Sequence, residues 1–189
     1  GGMAENYITP EQSVPSHALT VPWESCVSMG HGFAYSYDDK FKSTRTLLRM
    51  LIDVVAKGGN LALNVAPQPD GRLPWPAYQR MREMGAWLRQ YGDAIYGTRI
   101  VAPFVTEGFA FTQKAKENKV YAFSLAGDAG KLNIPFTGKK VTQVVNMTTG
   151  EAIPFTQTDS GVEVTVVAIA PSEAYGGEHI AEVFELTVE

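Results

Sequence analysis

Hydrophobic positions along the chain follow two periods in turn. From Ser43, the residues Leu47, Leu48, Met50, Leu51, Ile52, Val54 and Val55 recur at helical spacing, with Ser43 placed to cap the start and Gly58 to stop the run. A well-buried helix is expected there. "NLALNVAP" (60 to 67) is short, almost wholly apolar and ends at a proline, as a parallel strand covered on both faces reads. The turn-rich "PQPDGRLP" (67 to 74) follows, then a second amphipathic helix marked by Tyr78, Met81, Met84, Gly85, Trp87, Leu88 and Tyr91, with Pro76 in its first turn. Helix, strand, loop and helix in that order are the rhythm of an α/β barrel or doubly wound sheet.

Past Thr98 the helical period disappears. "GFAFTQ" (108 to 113), "KVYAFSL" (119 to 125), "KVTQVVNM" (140 to 147), "VEVTVVA" (162 to 168) and "HIAEVFELTV" (179 to 188) are β-branched or aromatic runs, separated by turns such as "AGDAG" (126 to 130), "TTGE" (148 to 151) and "TDSG" (158 to 161). The fold class expected is therefore α/β followed by all-β, with residues 1–98 barrel-like and residues 99–189 a small antiparallel β-sandwich.

The α/β portion is short for a closed barrel. It offers two or three strands and two long helices, where a (β/α)8 barrel needs eight of each and roughly 250 residues. Taken alone, residues 1–98 would expose a sheet edge and apolar helix faces, which invites association, homo-oligomers included. The expectation is that the chain is the C-terminal part of a barrel, completed by an N-terminal half in the same or a separate chain.

Composition narrows the function classes. The chain has 189 residues, 44% of them apolar, and a formal charge of −4 without long charged runs. Its 16 Lys plus Arg form no basic stripe with interleaved aromatics, so nucleic acid is a poor partner. No apolar run approaches the roughly 20 residues of a membrane span, and residues 1 to 20 lack a signal-peptide pattern. Cys26 is alone, and His17, His31 and His179 are scattered, so neither a disulfide nor a metal cluster is indicated. Gly58, Gly59 and Asn60 follow a helix and precede a strand, the reverse of a phosphate cradle, and read as a helix stop and strand entry. Asn146-Met147-Thr148 fits the glycosylation pattern but is short enough to arise by chance.

Three stretches carry a family resemblance. "WESCVSMGHGFAY" (23 to 35), "LIDVVAKGGNLALNVAPQPDGRLP" (51 to 74) and "MREMGAWLRQYGDAIYGTR" (81 to 99) resemble, in order, the C-terminal half of the catalytic barrel of α-L-fucosidases of glycoside hydrolase family 29. Residues 100–189 are similar to that family's C-terminal β-sandwich only in kind and position. The resemblance implies a retaining, exo-acting glycosidase that removes terminal α-L-fucose from glycans, with an aspartate nucleophile, a separate general acid/base and no metal or other cofactor. It implies a periplasmic or secreted protein, although no signal peptide is visible. Carried over by position, Glu11 in "TPEQ" matches the general acid/base of many bacterial members, Phe33 an aromatic against the apolar side of fucose, and Trp23 with Glu24 a Trp-Glu pair beside the sugar. The nucleophile and the histidines that hold the sugar hydroxyls belong to the half not represented here. Gly1 and Gly2 read either as native residues or as a tag scar before Met3.

Each residue also has a plainer reading. Glu11 stands behind Pro10, whose fixed φ narrows the reach of the carboxylate and suits an acid that must be aimed; it can equally be a capping or surface glutamate. Glu24 can orient Glu11, bind a hydroxyl, donate the proton itself or form a structural ion pair. Phe33 and Trp23 can each be core aromatics, and the "PDG" at 69 to 71 is a turn before it is a barrel-mouth loop. A non-catalytic carbohydrate-binding or assembly module is the competing function. It requires Tyr121, Tyr175 or Phe155 to form an exposed aromatic platform on the sandwich.

Overall fold

The computed structural model describes residues 7–127 and 129–189. Gly1, Gly2 and Met3, and Asp128 within the turn at 126 to 130, lie outside the described residues. The structure is mostly sheet, with two long helices. Strand β1 (Glu24–Ser28) runs into helix α1 (Thr44–Ala56), which returns the chain to β2 (Asn60–Asn64), parallel to β1 with Glu24 opposite Asn60 and Ser28 opposite Asn64. Residues 8 to 11 lie parallel along the other edge of β1, through the bridges Ile8 to Trp23 and Glu11 to Cys26. Four ladder bonds hold them, from Ile8 N to Pro22 O, Glu24 N to Ile8 O, Cys26 N to Pro10 O and Gln12 N to Cys26 O, all between 2.8 and 3.1 Å. Three parallel segments therefore lie side by side.

The ends of α1 follow from local chemistry. Ser43 accepts a hydrogen bond from Thr46 N at 3.2 Å, satisfying one of the free amides of the first turn. At the other end Gly58 takes φ +83°, which lets its amide and that of Gly59 fold back onto Val55 O and Val54 O. Helix α2 (Trp75–Tyr91) begins behind Pro74 and buries Ala77, Glu83, Met84, Trp87 and Tyr91. Of the residues that mark this helix in the sequence, Tyr78 and Met81 instead face solvent, because Ala77 and Glu83 occupy the buried side.

The remaining strands are β3 (Arg99–Thr106), β4 (Phe109–Lys114), β5 (Lys119–Ser124), β6 (Gly130–Ile134), β7 (Val141–Asn146), β8 (Glu151–Ala152), β9 (Phe155–Thr158), β10 (Gly161–Val166) and β11 (Glu182–Val188). They form an antiparallel six-stranded sheet in the order β3-β4-β5-β11-β7-β8 and a three-stranded sheet in the order β6-β10-β9. The larger sheet is covered on both faces. Along β5 the alternation of side chains sends Val120 and Ala122 to the core shared with the smaller sheet, and Tyr121 and Phe123 to the core shared with α1 and α2. That arrangement takes Tyr121 out of the aromatic platform that the binding-module reading requires. Tyr121 is 1% exposed, while Phe155 and Tyr175 are half-buried against the two cores.

Arg49 of α1 ties the layers together by donating to the carbonyls of Ile180, at 2.9 Å, and Leu125. Tyr91 at the end of α2 does the same through a 3.0 Å contact with the Thr148 hydroxyl. No helix among the described residues is long and apolar enough to cross a membrane.

Candidate active site

Side chains on a strand alternate between faces, so the register of the three parallel segments sorts the candidate residues. Trp23, Ser25, Val27 and Met29 share one side of β1; Met29 lies in the core with α1 and α2. Glu24, Cys26 and Ser28 share the other side, level with Asn60, Ala62 and Asn64 of β2. Glu11, bridged to Cys26, presents from the neighbouring segment on that same side and is exposed. The face carrying Glu11 and Glu24 is thus the open one, and β2 is half-buried rather than covered on both faces. Of the β2 residues, Leu63 packs against the core shared with α1 and α2.

The structure does not bring Trp23 to that face. Its ring is 1% exposed, its indole N–H donates to Lys57 O at 3.3 Å, and it packs so closely on Gly59 that a β-carbon there would sit 2.4 Å from Cε2 and Cζ2. Phe33 sits on the loop between β1 and α1, 37% exposed, and its carbonyl accepts from Asn64 Nδ2 at 3.2 Å. The loop carrying Phe33 is thereby fastened to the end of β2.

The carboxyl ends of the three segments are joined by side chains that the sequence did not single out. Gln12, directly after Glu11, adopts a left-handed φ of +52°. Its amide makes two bonds to Ser28: Nε2 donates to the hydroxyl at 2.8 Å and Oε1 accepts from the backbone N–H at 3.1 Å. Asn64 Nδ2 reaches the same hydroxyl at 3.5 Å. Lys42 donates to the carbonyls of Ser28, at 2.6 Å, and Gly30, at 2.7 Å, and its own carbonyl accepts from Arg80. The signal available in the sequence was the polar pair Asn60 and Asn64 at even spacing within an otherwise apolar strand, which marks an open face.

Tyr7, 49% exposed, lies near this face. Its phenol is held above its ordinary pKa by desolvation and by the charge of Glu24. No group of three or more His, Cys, Asp or Glu side chains that could hold a metal is found among the described residues. What the arrangement offers chemically is two carboxylates on one open face, with Glu11 at the carboxyl end of its segment, where parallel α/β sheets collect their ligand-binding residues, and Glu24 at the start of β1.

Comparison with known proteins agrees with this geometry. The family profile described as Alpha-L-fucosidase matches residues 1–93. The plasma alpha-L-fucosidase of Homo sapiens is 34% identical over 127 residues, covering 63% of this chain and 27% of that protein. Among solved structures, alpha-L-fucosidase isoenzyme 1 from Paenibacillus thiaminolyticus superposes with a TM-score of 0.84 at 29% identity, covering 97% of this chain and 45% of that one. The Thermotoga maritima alpha-fucosidase in complex with a mechanism-based inhibitor gives 0.79 at 31% identity, with 99% and 44% covered. The chain thus spans less than half the length of these relatives. On this match of sequence and fold, the chain belongs to the alpha-L-fucosidase family of glycoside hydrolases.

Proposed function

We propose that this chain supplies the C-terminal part of a (β/α)8-type catalytic barrel, followed by a β-sandwich domain, in a retaining, exo-acting α-L-fucosidase. The observation that supports this reading is the placement of Glu11. It stands on the open face at the carboxyl end of a parallel segment, with Glu24 on the same face and the fold of α-L-fucosidases around it.

In the proposed mechanism Glu11 is the general acid/base. Retaining hydrolysis needs two carboxyl groups about 5 Å apart, one ionised and one protonated. An aspartate from the part of the barrel outside this span attacks the anomeric carbon of a terminal α-L-fucose. The Glu11 carboxyl gives its proton to the departing glycosidic oxygen, which leaves with the bonding electron pair. Glu11, now a carboxylate, then takes a proton from water as that water displaces the aspartate. Glu24 binds a sugar hydroxyl or orients Glu11, and Phe33 lies against the apolar side of the fucose around its methyl group. Trp23 acts from behind, holding the start of β1 against β2.

On this reading the chain alone does not hydrolyse fucosides, because the attacking carboxylate is absent from the span. The test is release of 4-nitrophenol from its α-L-fucoside by the chain alone and after the N-terminal half of the barrel is added. No release alone, and release once the barrel is completed, is expected, with Glu11→Gln slowing a fucosyl disaccharide far more than the nitrophenyl fucoside. Release by the isolated chain would contradict the assignment of the nucleophile to the other half.

A further inference from the structure

We infer that Gln12 is a positioning residue, and that its two-point clamp on Ser28 aims the Glu11 carboxylate. This rests on the acid/base reading of Glu11 and adds the device that holds it. The backbone on either side of Glu11 is tied to the same residue of β1: Cys26 N donates to Pro10 O at 3.0 Å and Gln12 N donates to Cys26 O at 2.8 Å. Those bonds place the Glu11 α-carbon but not the direction in which the chain leaves it. Directly after them Gln12 turns to φ +52°, a region that side-chain-bearing residues rarely occupy unless neighbours hold them there. The neighbour is Ser28. The Gln12 amide reads both the N–H and the hydroxyl of that residue, so neither its distance nor its roll is free.

Ser28 is itself immobilised. Its carbonyl accepts from Lys42 and its hydroxyl from Asn64, so every polar group it has is engaged. Three strand ends are thus braced at one residue, and the residue adjoining Glu11 is the arm of the brace. A glutamine is the shortest side chain that carries both an acceptor and a donor to that reach, since asparagine is one methylene shorter. A proton donor displaced by an ångström loses much of its effect, whereas sugar binding elsewhere does not depend on it.

The experiment uses the completed enzyme, comparing a fucoside with an activated nitrophenyl leaving group and a fucosyl disaccharide whose sugar leaving group needs protonation. Gln12→Gly keeps the left-handed turn and removes the clamp. It is expected to lower kcat on the disaccharide about 10- to 100-fold, with KM and the activated substrate changing by less than about 3-fold. Gln12→Glu retains two acceptors for the Ser28 N–H and hydroxyl; it should recover most of that loss and move the alkaline limb of the pH profile upward, because a second negative charge makes Glu11 harder to ionise. A thermal midpoint for each variant checks that it folds. Equal loss on both substrates, or none, while Glu11→Gln keeps its selective defect, overturns the role of Gln12 alone. If Glu11→Gln shows no selective defect, the acid/base reading falls and the role of Gln12 with it.

Discussion

Substituting Gly59 by alanine tests whether Trp23 is a structural pillar. The new β-carbon would lie 2.4 Å from Cε2 and Cζ2 and 2.6 Å from Cδ2 of the indole. Non-bonded carbons rest roughly 3.5 to 4.0 Å apart, so the ring must retreat by about 1 Å. It has little room to do so, being 1% exposed and hydrogen-bonded to Lys57 O. Overpacking of this kind costs about 1–3 kcal/mol, and a rigid ring without a flexible end places Gly59→Ala near the top of that range. Gly59 is not among the positive-φ glycines, so alanine also stiffens the unfolded chain and returns about 0.4–1 kcal/mol. The net expectation is a loss of about 2 kcal/mol, or a fall of roughly 4–8 °C in Tm for a chain of this size. Urea unfolding of Gly59→Ala, Trp23→Phe and the double variant measures it. The smaller ring should accommodate the methyl, so the double variant should be at least about 1 kcal/mol more stable than the sum of the single losses implies. Strictly additive losses, or a Gly59→Ala midpoint equal to that of the unsubstituted chain, would refute the packing argument.

Arg49→Ala should cost about 2–3 kcal/mol in urea unfolding, since two carbonyls of the sandwich lose a charged donor, and Arg49→Lys should not restore it because one ammonium cannot reproduce the fork. Glu182 is shifted upward by burial, opposed by its bond from Asn146. Its folded pKa lies above the unfolded value, so its contribution is fully present below the unfolded pKa and is lost as pH rises through the folded one. Glu182→Gln, which keeps an acceptor for Asn146, should therefore flatten the fall in stability as pH rises above the ordinary glutamate range; an unchanged slope would count against it. Lys42→Met leaves the carbonyls of Ser28 and Gly30 without their donor and should destabilise the chain by about 1–3 kcal/mol, seen as faster amide exchange at the end of β1.

The helical and central-strand elements were legible because their sequence patterns coincide with burial. Helix α1 shows its stripe, its Ser43 cap and its Gly58 stop directly, and β5 and β11 are apolar because both of their faces are covered. Strand β3 was hidden by Pro103 and by the register shift between Ile100 and Val105, which interrupt its alternation. Strands β6 and β9 flank β10 at the edges of the small sheet and carry too few buried residues to stand out. The segment at 8 to 11 meets β1 through two bridges only, and its open side needs no apolar residues. Glu11 could be found only by resemblance, since no local pattern distinguishes it from a surface glutamate. The burial of Trp23 could have been anticipated: adjacent residues of an extended segment point to opposite faces, so Trp23 and Glu24 leave the chain on opposite sides. Gln12, by contrast, owes its place to a partner 16 residues away, which no short-range pattern encodes.

The central claim is that Glu11 moves the proton in fucoside hydrolysis. In the completed enzyme, kcat/KM for Glu11→Ala should be measured on fucosides graded by leaving-group acidity, and kcat on the activated ones with and without added azide, which acts on the second step. The expected result is a loss of about 10²- to 10⁴-fold on poor leaving groups, shrinking toward the activated ones, with azide accelerating turnover of the activated substrates because that anion needs no base. A loss of equal size across the series, with no response to azide, would contradict the account.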